Sequence, residues 1–484
     1  MNRQSIDKNN YTMLCDFYEL TMANGYFNKG MTDQIVYFDM FFRKVPDGGG
    51  FAIFAGLEQL VEYIQNLHFT EKDLEYLSKI DGFSKEFIEY LRNFKFTGDI
   101  YSVKEGTVIF PNEPLITVKA NAVEAQIIET YLLLAINHQS LIATKTNRIV
   151  RAANGKVVME FGARRAQGTS ASILGSRAAY IAGVDGTSLV YADVNYGIKA
   201  LGTMAHSWVQ MFDTEYEAFK TYCEAYPNNV VLLIDTYNVL KSGAPNAIKV
   251  IKEVLLPKGI RKAGVRIDSG DIAYLSKKLR KMFDDAGLDF VTICASNSLD
   301  ERIIEELDRQ GACIDSYGVG ERLITSKSDP VFGGVYKLVA VEKNGEIIPK
   351  IKISENEAKI TNPHFKKVYR LYGRDTNKAL ADVICLHDED IDDTHDYEIF
   401  DPKFTWKRKL VYDFYKEELL VPIFKNGSLV YDLPTIDEIR AYCKSEINRQ
   451  WDEVKRFDNP HEYYVDLSQK LWDIKHEMLK NNSK

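Results

Sequence analysis

Several short segments set chemically capable side chains beside glycine or other small residues. Gly162-Ala163-Arg164-Arg165 places two guanidinium groups next to a glycine. Arginine grips phosphate or carboxylate through paired hydrogen bonds, so the segment suits an anionic ligand, although a surface ion pair would use the same residues. In Arg266-Ile267-Asp268-Ser269-Gly270-Asp271 the arginine and the first acid are two residues apart, hence on one face of a strand. Its acids could hold Mg²⁺ or accept sugar hydroxyls, and they could equally cap the helix that follows. Ser296-Asn297 and Tyr317-Gly318-Val319-Gly320 could offer backbone N–H groups to a phosphate. A lone G-x-G is also simply a turn, and no dinucleotide or P-loop frame accompanies it. His206 lies among small residues in Gly202-Thr203-Met204-Ala205-His206-Ser207-Trp208. It could act as a base, a metal ligand or a nucleophile toward a phosphoryl group, with a structural histidine as the alternative. No second histidine stands at metal-ligand spacing, which disfavours zinc.

These clusters need elements that aim them at one place. From Lys156 to about Val341, apolar β-branched runs recur and end in small or polar residues: VVMEFGARR, AAYIAGVDGTS, LLIDTYN, AGVRIDSGD, FVTICASNS, IDSYGVGE and GGVYKLVAV. Amphipathic stretches such as IAYLSKKLRKMFDDAGL lie between them and stop at glycine. Strands buried on both faces with polar C-terminal ends predict a parallel α/β barrel, with an open doubly wound sheet as the second choice. Residues 1–120 read as an α+β sandwich, with a strand over Gln34–Phe42 and a helix through Leu57, Leu60, Val61 and Ile64. The predicted division is therefore 1–120, a barrel domain over 121–341, and a C-terminal extension of mixed strands and helix over 342–484. The acidic run Asp388–Asp393 reads as a solvated loop.

The chain has 484 residues, 61 Lys plus Arg against 69 Asp plus Glu, and a net charge of −8, which argues against nucleic acid or an anionic membrane as partner. No stretch approaches the roughly 20 apolar residues of a membrane span. The six cysteines are scattered without a C-x-x-C pair, so free thiols in a reducing cytoplasm are expected.

The ordered set CDFYELTMANGYF, FFRKVPDGGGFAIFAGL, EFGARRAQG, GVDGTS, GTMAHSW, VRIDSGD, SNS and GVG resembles nicotinate phosphoribosyltransferase over about residues 11–360. The resemblance implies transfer of phosphoribosyl from 5-phosphoribosyl 1-pyrophosphate to nicotinate, coupled to ATP hydrolysis and assisted by Mg²⁺. It makes His206 the transiently phosphorylated residue. Arg266 would meet the nicotinate carboxylate, with Thr203 beside the ring and Tyr18 stacking near it from the partner subunit of a homodimer. Arg164 and Arg165 would meet phosphates. Asp235, Asp268 and Asp271 are the candidates for ribose hydroxyls and magnesium, Asp268 foremost. Ser296, Asn297, Gly318 and Gly320 would hold the 5-phosphate. One departure is Glu321, where many members of the family carry threonine.

A nicotinamide phosphoribosyltransferase is the nearest rival. Its GTS segment looks like GTD, so Ser188 favours an acid over an amide substrate. A quinolinate phosphoribosyltransferase ranks below it. A barrel that binds a phosphorylated metabolite without turnover is the reading from a different class.

Overall fold

The apolar runs ending in polar residues do form strands. In the computed structural model, which describes residues 10–356 and 359–482, they are Val157–Glu160, Gly186–Thr187, Val231–Leu233, Ala263–Ile267, Val291–Ser296 and Ser316–Val319. All six pair in parallel in one sheet, and the last of them, Ser316–Val319, lies between Val157–Glu160 and Val291–Ser296. Among the described residues no ladder joins Gly186–Thr187 to Val231–Leu233.

Helices cover the connections. Ile272–Asp285 begins at Asp271, whose carboxylate accepts from the Tyr274 N–H at 2.9 Å, and turns Ala273, Leu279 and Phe283 inward. Glu301–Arg309 is capped in the same way by Asp300. Its apolar face supplies Ile304 and Leu307. The buried core under the sheet's Val231–Ile267 side includes Leu232, Leu233, Val265, Ile267, Leu279 and Phe283.

Two of the runs behave differently from the barrel pattern. The Ala-rich portion of AAYIAGVDGTS belongs to the helix Thr169–Ile181, and only Gly186–Thr187 is strand. Alanine favours helix, and Gly183 at φ 120° provides the stop. GGVYKLVAV is not part of the parallel series. Its strand, Val335–Lys343, pairs antiparallel with Ile35–Phe41, from Val36 opposite Val341 to Phe41 opposite Val335. Burial along that strand is mixed, with Tyr336, Val339 and Ala340 buried and Leu338 and Lys343 exposed, and the pairing carries a register shift between Tyr37 and Phe38.

That pairing regroups the chain. The described residues up to Leu141 and from Val331 onward form one compact unit, and Ile142–Pro330 forms the other. The first unit contains a seven-stranded sheet whose central strands are Val335–Lys343, Ile35–Phe41, Ile116–Asn121 and Asp99–Ser102. It also holds a four-stranded sheet of Phe414–Glu418, Lys366–Gly373, Ala379–Leu386 and Val465–Leu467. The proline- and glycine-free stretch that begins at Ala122 forms two helices, Ala122–Ile127 and Glu129–Ala152, parted at Ile128.

All six cysteines are free, and burial pushes the thiols of Cys223, Cys385 and Cys443 up to about 12. No described helix is long and apolar enough to cross a membrane.

Candidate active site

Residues at the C-terminal ends of the parallel strands converge. Strand Val231–Leu233 runs on into Asp235 and Thr236, and strand Ala263–Ile267 into Asp268. The Asp268 N–H donates to Asp235 Oδ2 at 2.9 Å, and the Ser269 hydroxyl donates to the same oxygen at 2.7 Å. Asp235 Oδ1 is buried without a hydrogen-bond partner. One strand further, the Ser296 hydroxyl donates to Asp268 Oδ1 at 2.5 Å.

His206 opens the short helix His206–Gln210. Its Nδ1 lies 3.1 Å from the Thr236 hydroxyl, and its Nε2 lies 3.9 Å from Asp235 Oδ1. The imidazole side chain is 41% exposed while that of Asp235 is 1% exposed, so the ring presents an accessible edge above a buried carboxylate.

Arg266 is half-buried on the strand before Asp268. Its Nη1 donates to the Thr203 hydroxyl at 2.8 Å and its Nη2 to the Met204 carbonyl at 3.2 Å. Nε is buried with no partner, and no carboxylate pairs with this guanidinium among the described residues. Thr203 and Arg266 are therefore neighbours at this end of the sheet.

The other half of the sheet end is built on Phe161 and the glycines. Ser296 stands opposite Gly318 in the parallel register. A side chain at Gly318 would meet the Phe161 ring at 2.6 Å, and one at Gly162 would meet the Gly320 carbonyl at 2.7 Å, so both glycines are required by close approach. Asn297 and Ser298 hold left-handed backbone, φ 88° and 48°, a conformation that costs a non-glycine residue on the order of 1 kcal/mol or more. Arg164 and Arg165 sit in the turn Ala163–Arg165, both exposed, and neither forms an ion pair among the described residues. Ser188 is exposed, with its N–H bonded to the Glu160 carbonyl at 2.8 Å. Asp271 caps the following helix through Oδ1, and the residue is exposed. Glu321 turns to Lys327 at 2.9 Å, which draws its carboxyl below the usual range.

Tyr18 lies in the other compact unit, on the helix Phe17–Asn28, 44% exposed. Burial and the neighbouring Glu129 carboxylate raise its phenol above the ordinary range. Among the described residues no group of three or more His, Cys, Asp or Glu is arranged for a metal ion. The acidic run spends its carboxylates locally, Asp390 on Tyr369 and Lys416, Asp392 on Thr394.

Two residues at this end have no counterpart among the sequence-derived candidates. Thr236 orients the imidazole, and Glu160 gathers three donors. Glu160 carried one available signal, a carboxylate ending an otherwise apolar strand.

Family models match nearly the whole chain. Residues 13–137 match the nicotinate phosphoribosyltransferase N-terminal domain, 157–372 the nicotinate phosphoribosyltransferase family, and 365–475 the C-terminal domain of the same enzymes. The nicotinate phosphoribosyltransferase of Bacillus subtilis (strain 168) is 45% identical over 464 residues, covering 96% of this chain and 94% of the relative. The chain belongs to the nicotinate phosphoribosyltransferase family. The crystal structure of human nicotinic acid phosphoribosyltransferase is similar at TM-score 0.85 and 29% identity, covering 96% of this chain and 99% of that one. A nicotinate-nucleotide pyrophosphorylase from Pyrococcus furiosus is similar at TM-score 0.70 and 25% identity, covering 93% and 99%. For a nicotinate phosphoribosyltransferase family member, the polar strand ends are the place where the chemistry is expected.

Proposed function

We propose that this chain transfers the phosphoribosyl group of 5-phosphoribosyl 1-pyrophosphate to nicotinate, giving nicotinate mononucleotide and pyrophosphate, with ATP hydrolysis coupled through His206. The observation that carries the substrate assignment is Arg266. A half-buried guanidinium fixed by a hydroxyl and a carbonyl, with no carboxylate of its own, is poised for an anionic ligand. The carboxylate of nicotinate supplies that charge. The amide of nicotinamide does not, and Ser188 can donate to the acid.

In the transfer, the pyridine nitrogen forms the new bond to the ribose C1 while the C1–O bond breaks and its electron pair leaves with pyrophosphate. Arg164 and Arg165 are free to meet that departing charge. Asp268 and Asp235 face the developing positive charge and the ribose hydroxyls. Ser296, Asn297, Gly318 and Gly320 hold the 5-phosphate, and Glu321, tied to Lys327, is kept from opposing it.

Oxygen donors suit Mg²⁺, and the unpartnered Asp235 Oδ1 with Asp268 would hold it. When bound, the ion neutralises phosphate charge. In the ATP step the imidazole of His206 takes the terminal phosphoryl group, releasing ADP, and water later cleaves the P–N bond. Nδ1 rests on Thr236, which fixes the ring. The phosphoryl group adds charge that can order the surrounding loops.

The strand order supports an irregular barrel open between Gly186–Thr187 and Val231–Leu233, since the sixth strand pairs with the first. The remaining chain forms the α+β portion and C-terminal extension. A cytoplasmic homodimer, with the partner's copy of the Phe17–Asn28 helix bringing Tyr18 to the nicotinate ring, completes the reading.

Replacing His206→Asn should abolish ATP hydrolysis and the gain in product that ATP gives, while donor binding by calorimetry persists. Unchanged ATP hydrolysis in the variant would remove the phosphohistidine role.

A further inference from the structure

We infer that Glu160 is a positioning residue that locks the Arg164–Arg165 turn and the Gly186–Ser188 segment together, so that the phosphate-binding and base-binding parts of the site are set by one buried carboxylate. The inference rests on the transferase reading and deepens it.

Glu160 ends its strand with no exposed surface. In the parallel register it stands opposite Thr187 on one side and Val319 on the other. Its Oε2 accepts from the Thr187 hydroxyl at 2.7 Å and from the Ser176 hydroxyl at 3.1 Å. Its Oε1 accepts from the Gly162 N–H, the residue that starts the arginine turn. The backbone adds two ties, Ser188 N–H to the Glu160 carbonyl and Phe161 N–H to the Val319 carbonyl, each 2.8 Å.

The Gly162 N–H and the Thr187 hydroxyl donate to it, the Ser176 hydroxyl divides its one proton between Glu160 and the Ser172 carbonyl at 2.9 Å, and no cation pairs with Glu160 among the described residues. A core strand residue needing only packing would be apolar. A buried carboxylate earns its desolvation cost only where donors must be held at fixed positions. Burial raises its carboxyl above the ordinary range although the three hydrogen bonds oppose that shift. A side chain at Gly162 would meet the Gly320 carbonyl and Ile324 at 2.7 Å, so the arginine turn starts in close contact with the next strand end. The carboxylate therefore transmits any change at Thr187 directly to the arginine turn.

Glutamine at this position is an informative test. With its carbonyl toward Thr187 and Ser176 the NH₂ faces the Gly162 N–H, donor against donor; flipped, the carbonyl takes Gly162 and the hydroxyls must turn their protons elsewhere, so in either orientation no single acceptor joins the two segments. In Glu160→Gln the KM for phosphoribosyl pyrophosphate should rise roughly tenfold while kcat at saturation changes far less. Thr187→Val should raise the KM for nicotinate, and the double variant should cost less than the sum of the two. Amide hydrogen exchange gives a readout independent of turnover: in Glu160→Gln, residues 162–165 and 186–189 should exchange faster together, while Ala263–Ile267 stays protected. A lower melting temperature with both KM values and both segments unchanged would overturn the inference. So would additive effects in the double variant. Wild-type protein that makes no nicotinate mononucleotide would count against the transferase reading alone, since exchange still reports the coupling.

Discussion

In the antiparallel unit, the fully buried Arg370 meets Asp382 at 2.6 and 2.8 Å and Glu446 at 3.2 Å, and the Tyr463 hydroxyl donates to Asp382 at 2.9 Å. Lys366 and Asp39 pair at 2.8 Å with side chains 1% and 3% exposed. At the end of the parallel sheet, Arg266 meets only a hydroxyl and a carbonyl, Asp235 Oδ1 accepts no hydrogen bond, and Glu160 meets neutral donors. Both regions bury charge. Around Arg370 and Lys366 it is closed in opposite-sign networks, which serve the fold. The parallel sheet leaves it open at strand ends, where a ligand can supply the missing partner.

Matched substitutions give the hardest test of that contrast. Arg370→Met leaves Asp382 and Glu446 buried without their cation and should cost about 3–5 kcal/mol in denaturant unfolding. Arg266→Met should barely move the unfolding midpoint yet raise the KM for nicotinate on the order of 100-fold. Equal losses of stability in the two variants would erase the distinction.

A smaller effect comes from Glu19, whose carboxyl burial pushes up to about 8 from an ordinary 4.5. The native state keeps this proton at pH values where the unfolded chain has released it. Its stabilising contribution is therefore full below about 4.5 and is lost as pH rises through about 8. Stability measured by urea unfolding across that window should decline less in Glu19→Gln than in the wild type; parallel curves would refute it.

The smallest effect belongs to the exposed Glu321–Lys327 pair. Lys327→Ala frees an acid near the expected 5-phosphate site and should raise the KM for phosphoribosyl pyrophosphate roughly twofold to fivefold, less so at high salt. No change would place Glu321 away from the phosphate.

The candidate residues of the parallel sheet were legible because its strands stay apolar until their C-terminal ends, so Asp268, Ser296 and Gly318 stand out against Val265, Ile293 and Tyr317. The Glu160 network was not, because its donors Ser176 and Thr187 come from 16 and 27 residues further along. Val335–Lys343 looked like one more run of the same kind, and only its nonlocal pairing with Ile35–Phe41 assigns it to the other sheet. The helix Thr169–Ile181 hid in an apolar string short enough to pass for a strand. The partner of Glu321 lies 6 residues away across a short helix, a spacing that no simple periodicity marks.

The central claim is that the open charge at Arg266 selects an acid. Purified protein with Mg²⁺, ATP and phosphoribosyl pyrophosphate should be given nicotinate, nicotinamide and quinolinate separately, and mononucleotide formation followed by mass. Product should form from nicotinate alone and increase with ATP. Product from nicotinamide at a comparable rate, or from none of the three, would contradict it.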